Sequence, residues 1–451
     1  MIPNILREKV LQRKFSGYHS RDNIDDVNRI DLTADELVNA LMGLADSRHV
    51  CILDSCGIGH QGSHLLIAGV DPVKSFEISD DEPDLILDRL SEALTSDFAA
   101  IFTLSYDLGL KLNNITSRHR SNEPGAFVSL FRKLVIHDYD TNSTFLTGGE
   151  TDSQEVIDGL VSARFTPNKS TDLPQIRSNY AHDDYLRSVE VIKELIRRGD
   201  TYQTNLTRQI TIQFQNEFDP RSFFLRMRSK HPSPFSAFLK RNDSTVVSAS
   251  PERFFRIANG RISVSPIKGT RPRGTTFPID QELRNELRLS EKDRAENVMI
   301  VDLLRNDLGR VCEFGSVSLE RLCEIEEHPS LFHLVSTVTG RLRQDVNITD
   351  VLRSLFPCGS ITGAPKISTM KIIDEIEPTA RGLSMGTIGY RLPPSFGMGE
   401  IIDTSVAIRT MVIQGNTAAF NVGGGIVIDS DPESEYSETV TKSKALLDSL
   451  E

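Results

Sequence analysis

Apolar residues recur along the chain in two rhythms, and the elements they predict are a mixture of strand and helix. VCILDS (Val50–Ser55) and SHLLIAGV (Ser63–Val70) are continuous apolar runs of strand length, as expected for strands covered on both faces. FVSLFRKLVIHDY (Phe127–Tyr139) and STFLTGG (Ser143–Gly149) predict a hairpin turning at Asp140–Asn142. Further on, Tyr185, Val189, Ile192, Leu195 and Ile196 follow helical spacing, with Asp183 placed to cap the helix and Gly199 to end it. NLTRQITIQF alternates, so Ile210, Ile212 and Phe214 share one strand face. FSAFLKR, TVVSAS, RFFRIANG and RISVSPI read as further strands between turn residues and predict an antiparallel sheet. Ser290 opens a helix, with Asp293 supporting a capping box, whose body is RAENVMIVDLLRNDLGRV. A last helix runs from about Glu433 to Leu447. Strand clusters with helices gathered outside them indicate α+β rather than alternating βαβ units.

The polar stretch FTPNKSTDLPQIRSNY (Phe165–Tyr180), with Pro167 and Pro174, is the best boundary. It separates an N-terminal region, 1–165, from a C-terminal one, 176–451. A chain of 451 residues with 38% apolar and 25% charged residues is long enough for a large core and is neither disordered nor fibrous. The net charge of −12 speaks against a nucleic-acid binder, although a few local cations can still hold a small anion. Five Cys without a CxxC argue against a disulfide scaffold or a thiolate zinc site, and predict a reducing cytoplasm. No apolar run reaches the length of a membrane span, and the first residues lack the apolar core of a signal peptide.

Several strings can carry chemistry, although each alone is more often mundane. In SPIKGTRPRG (Ser265–Gly274), Lys268 has Arg271 and Arg273 close behind, and nearby cations or desolvation can activate a lysine nucleophile; such a string is usually a surface turn. In SASPERFF (Ser248–Phe255), Glu252 beside two Phe could stay protonated as a general acid, where an exposed Glu–Arg pair is the ordinary outcome. Glu296, Ile300 and Leu303 lie on one helix face, and Glu438 precedes Lys442 by one helical turn. Two such carboxylates with waters and a substrate carboxylate would suit Mg²⁺; a plain Glu438–Lys442 ion pair is the simpler alternative. FPCGSITGAPK (Phe356–Lys366) fails as a phosphate loop, because Ala364 and Pro365 separate Gly363 from Lys366. NVGGGIV (Asn421–Val427) lacks dinucleotide spacing, and both Gly-rich strings are readable as tight turns. His333 is a lone His without metal-ligand spacing.

Together, GDTYQTNLTRQ, SASPERFF, PIKGTRPRG, DRAENVMIVDLLRNDLGRV, HLVSTVTG, FPCGSITGAPK, GYRLP, AIRT, GGGIV and ETVTKSKALL resemble the chorismate-utilising enzymes, in the order of that family. They span Gly199 to Leu447, and LDSCG (Leu53–Gly57) and SYDLG (Ser105–Gly109) extend a looser likeness into the N-terminal part. The chain departs from the family at Thr441, Ser443 and Cys358.

The resemblance implies an α+β fold of two antiparallel β-sheets packed face to face with helices outside, both sequence regions contributing strands. Lys268 occupies the position that holds Lys in members making 4-amino-4-deoxychorismate for folate synthesis, and Ala in members making anthranilate. By the resemblance, Lys268 attacks the chorismate ring, Glu252 protonates the departing hydroxyl, and ammonia from a glutaminase subunit displaces the lysine. Mg²⁺ would sit on Glu296 and Glu438. Tyr390, Arg409, Lys442 and the amides of Gly423, Gly424 and Gly425 would hold substrate carboxylates, with Thr362 and His333 lining the ring. The alternatives are anthranilate synthesis and a non-catalytic subunit that only docks the glutaminase.

Overall fold

The computed structural model describes residues 29–59, 64–79, 82–149, 153–168, 174–328 and 331–451. Within these residues, two antiparallel sheets of twelve and ten strands form the body, and helices lie outside them. The sheets are shared between the two sequence regions. Val50–Asp54 pairs with Phe235–Lys240 in the larger sheet, and Ala99–Leu104 with Thr387–Leu392 in the smaller one. The boundary read from composition is therefore no break in the fold. Part of it, Gln175–Ser178, is itself a strand on the edge of Gln203–Gln213, and the N-terminal segment before Arg29 lies outside the described residues.

The expected elements are present, with corrections. Phe127–Tyr139 is not one strand. It breaks at Arg132, so that Ala126–Phe131 joins the smaller sheet while Lys133–Asp138 joins the larger and forms the hairpin with Ser143–Gly148. Asp183 lies in the first turn of helix His182–Arg197 rather than at its cap, which is Ala181. Gly199 follows that helix with φ +82°, a left-handed turn that favours glycine. Ser290 caps helix Glu291–Gly309 by accepting the Asp293 N–H at 3.3 Å.

The predicted antiparallel cluster is also divided. Thr245–Ser250 belongs to the larger sheet and Arg253–Ala258 to the smaller, so the chain crosses between sheets at Pro251–Glu252. Pro251 has no N–H and cannot continue the ladder. The chain crosses again from Ile401–Val406 to Thr410–Gln414, through Ala407–Arg409. The crossings lie side by side, because the Val406 N–H donates to the Glu252 carbonyl at 3.0 Å and the Ala249 N–H to that of Arg409 at 3.0 Å. The fold thus places Glu252 and Arg409 where both sheets meet.

Candidate active site

Glu252 is buried, and its Oε1 has no hydrogen-bond partner among the described residues. Burial raises its pKa, opposed by the Ser360 hydroxyl, Lys268, the Ile267 N–H and Lys442. It does not pair with Arg253, which is itself buried and binds Asp403 at 2.9 Å. Lys268 belongs to the strand Ile267–Pro272, whose register slips between Lys268 and Thr270. Gly269 provides the slip at φ +73°, and a bulge of this kind re-aims its neighbours. Across the slip, the His333 ring bonds Thr270 Oγ1 at 2.9 Å.

Lys268 also acts on both helical carboxylates. Burial raises the pKa of Glu296; Lys268 and Lys292 oppose the rise without cancelling it, and Asp293 and Glu438 add to it. At Glu438 burial acts upward, but Lys442, Lys292 and Lys268 outweigh it and the carboxyl is held below its ordinary value. Glu438 Oε1 accepts from Lys442 Nζ at 2.6 Å, and the same ammonium donates to the Gly423 carbonyl at 3.0 Å. The simple ion pair is therefore present, inside a cluster of charges.

The glycine triplet is not a turn. Gly423, Gly424 and Gly425 lie in strand Thr417–Ile426, opposite Thr207, Leu206 and Asn205. Close approach excludes side chains: a Cβ on Gly423 would lie 2.1 Å from the Leu206 carbonyl oxygen, and one on Gly425 would lie 2.3 Å from Gln203 Nε2. A Cβ on Gly424 would meet Glu435 Oε2 at 3.1 Å and Glu438 Oε1 at 3.5 Å. The Asn421 N–H and Gly423 carbonyl bond groups outside the ladder. By strand alternation the Gly423 and Gly425 amides face the open edge, whereas that of Gly424 faces the ladder.

This arrangement fits a hard divalent cation. Glu296 and Glu438 come from different helices, feel each other's charge, and lie beside a glycine cradle that a methyl group would begin to fill. Mg²⁺ takes few protein carboxylates and keeps waters, so two suffice. Among the described residues no group of three or more His, Cys, Asp and Glu forms a denser metal site.

Arg409 is partly buried at its crossing with a left-handed φ of +49°, and among the described residues no carboxylate pairs with it. Burial lowers its pKa. Such a cation suits an anion. Thr362 is fully buried and its hydroxyl donates to the Cys358 carbonyl at 3.0 Å. The Lys366 ammonium is held by Asp307 at 2.7 Å and by two carbonyls.

Tyr390 lies in the smaller sheet. It pairs with Ile101 and Asp403 in the smaller sheet and lines an inter-sheet cavity of about 30 Å³ with Leu53, Asp54 and Ser55. The sequence reading missed three groups. Glu435 lies one helical turn before Glu438, accepts the Ser430 hydroxyl at 2.6 Å and faces Gly424. Ser360 neighbours Glu252. Gln203 Oε1, Thr204 Oγ1 and Asn205 Nδ2 are buried without hydrogen-bond partners among the described residues. The spacing of Glu435 could have revealed it; the others depend on long-range packing.

The sequence profile of the chorismate binding enzymes matches residues 49–448. The chain is 36% identical over 439 residues to aminodeoxychorismate synthase component 1 of Salmonella typhimurium, covering 96% of this chain and 92% of that one. It is 38% identical over 360 residues to aminodeoxychorismate synthase of Streptomyces griseus, 76% of this chain, but spans only 49% of that longer protein. The structure of anthranilate synthase component I from Streptococcus pneumoniae superposes with a TM-score of 0.72 at 27% identity, over 86% of this chain and 93% of that one. No helix among the described residues is long and apolar enough to cross a membrane.

Proposed function

The chain belongs to the chorismate-binding enzymes, and from that premise we propose that it aminates chorismate at C4, giving 4-amino-4-deoxychorismate for 4-aminobenzoate and folate synthesis. The observation that carries this reading is the position of Lys268, within electrostatic reach of Glu252, Glu296 and Glu438 at once. One amine thus acts on a carboxyl whose pKa burial raises and on the pair of helical carboxylates.

Lys268 attacks C2 of the ring. Both conjugated ring double bonds shift, and the C4 hydroxyl leaves as water with the proton of Glu252. Ammonia then attacks C4, both double bonds return, and the C2–Lys268 bond breaks. The proton shed by the new amine resets Glu252. Two displacements leave the nitrogen where the oxygen was, and a covalent intermediate divides one hard substitution into two easier ones. Glu252 suits the acid role because burial opposes its ionisation, while Oε1 is free to meet the leaving oxygen.

Glu296 and Glu438 would hold Mg²⁺, which supplies positive charge for a ring carboxylate when bound. Lys442 moves from Glu438 to a substrate carboxylate, and the outward amides of Gly423 and Gly425 join it. Arg409 offers a two-pronged donor to the second carboxylate. Thr362 and His333 line the ring. A glutaminase subunit supplies the ammonia, and the setting is the cytoplasm.

The test is incubation of the purified chain with chorismate, Mg²⁺ and an ammonium salt, with the product identified by chromatography and mass. 4-Amino-4-deoxychorismate, lost in Lys268→Ala, is expected. Anthranilate would overturn the role of Lys268. Unchanged chorismate, even with a glutaminase added, would leave a docking subunit as the better reading.

A further inference from the structure

We propose that Arg381 is the positioning residue for the proton donor: by binding the carbonyls of Asn205 and Ile361 together, it locks the Cys358–Thr362 turn against the Gln203–Thr207 strand and holds Ser360 beside Glu252. This rests on the reading of Glu252 as the acid.

Arg381 is buried at 3% exposure, and all three of its guanidinium nitrogens donate. Nη1 donates to Ile361 O at 2.9 Å and Nη2 to Asn205 O at 2.6 Å. Nε and Nη2 also bind the two oxygens of Glu377 at 2.9 and 2.7 Å. Glu377 Oε1 accepts in turn from the Thr207 N–H at 2.6 Å, so the pair grips the strand twice. The Tyr106 ring covers the guanidinium at 4.5 Å and brings support from the N-terminal region.

The two gripped segments are also tied to each other. The Asn205 N–H donates to Thr362 O at 2.8 Å, and Cys358 Sγ lies 3.2 Å from Ser360 Oγ. Ser360 and Cys358 face Glu252 from this turn, Lys268 and the Ile267 N–H from the neighbouring strand, and Lys442 from the last helix. A lysine at 381 carries one nitrogen and cannot span acceptors on two segments. Freed, the turn carries Ser360 away, and the carboxylate form of Glu252 loses a stabilising contact.

The experiment compares wild type with Arg381→Lys. Two readouts are kcat and KM for chorismate with ammonium, and the pH dependence of kcat. A third is the titration of the Glu252 carboxyl by infrared difference spectroscopy, assigned with Glu252→Gln. The expected result is a kcat at least about tenfold lower with KM within about threefold. The basic limb of the pH profile and the infrared titration of Glu252 should both move to higher pH. A variant that melts earlier but keeps the wild-type kcat and Glu252 titration overturns the proposal, since support of the fold alone would do that. If Arg381→Lys does not fold, Ser360→Ala decides: it removes the hydroxyl the clamp is said to hold beside Glu252 and must move the Glu252 titration the same way; an unmoved titration overturns the proposal. The infrared readout needs no substrate, so inactivity of wild type toward chorismate would sink the proposed reaction without touching the clamp.

Discussion

Alanine at Gly423 and at Gly424 should have opposite consequences, although the two glycines are adjacent. A methyl on Gly423 would sit 2.1 Å from the Leu206 carbonyl oxygen and 2.8 Å from the Thr207 Cα. Both are backbone atoms of the partner strand, so the ladder itself must part. Losing one or two ladder hydrogen bonds at about 1 kcal/mol each, plus overpacking of about 1–3 kcal/mol, costs about 3 kcal/mol. A methyl on Gly424 meets only the ends of flexible side chains, Glu435 Oε2 at 3.1 Å and Glu438 Oε1 at 3.5 Å. A few tenths of an ångström of adjustment costs under about 1 kcal/mol. That adjustment falls on Glu435, the helical neighbour of the Mg²⁺ carboxylate Glu438, so the Mg²⁺ requirement should rise by about tenfold or more. Urea unfolding followed by circular dichroism gives the stabilities, and activity titrated with Mg²⁺ gives the second quantity. Gly424→Ala as unstable as Gly423→Ala, or a normal Mg²⁺ dependence in Gly424→Ala, would refute this account of the cradle.

Glu252→Gln should lower kcat by about 10²–10⁴-fold. Burial raises the folded-state pKa of Glu252, so folding takes up a proton and wild-type stability falls as pH rises from the unfolded value through the folded one. The glutamine variant should lack this fall, and above that window it should unfold at higher urea than wild type; a parallel pH dependence would contradict it. Asp107, pushed up to about 6 by burial, should behave likewise: Asp107→Asn gains stability at pH 7 relative to pH 4, measured by thermal melting. Lys366→Met strands the buried Asp307 carboxylate and should cost about 3–5 kcal/mol in urea, most of it recovered by adding Asp307→Leu. Absence of recovery would show that the three-way grip of Lys366, not the charge, matters.

Much of the site was readable because its residues lie on local patterns. Glu296 shares a helix face with Ile300, which is fully buried, so the helix period already turned that face inward. Lys366 was separable from a phosphate loop by spacing alone, and the structure gives it Asp307. Other features depend on partners far away in sequence. The break at Arg132 leaves no mark in an apolar run, because strands in either sheet need the same residues. The glycine triplet looked like a turn, and only the approach of Leu206 and Gln203 explains it. Tyr390 matched a motif but faces the space between the sheets.

By itself the sequence determined the elements, the α+β class and the kinds of group available for chemistry. These follow from side-chain period and capping, which act over a few residues. Tertiary structure decided which of those groups meet. Glu252 and Arg409 lie on two chain crossings between the sheets that run side by side, an arrangement set by strand pairing across more than a hundred residues. The same packing buries Glu252 and leaves one of its oxygens free, and desolvation, which no local pattern encodes, then sets its proton affinity.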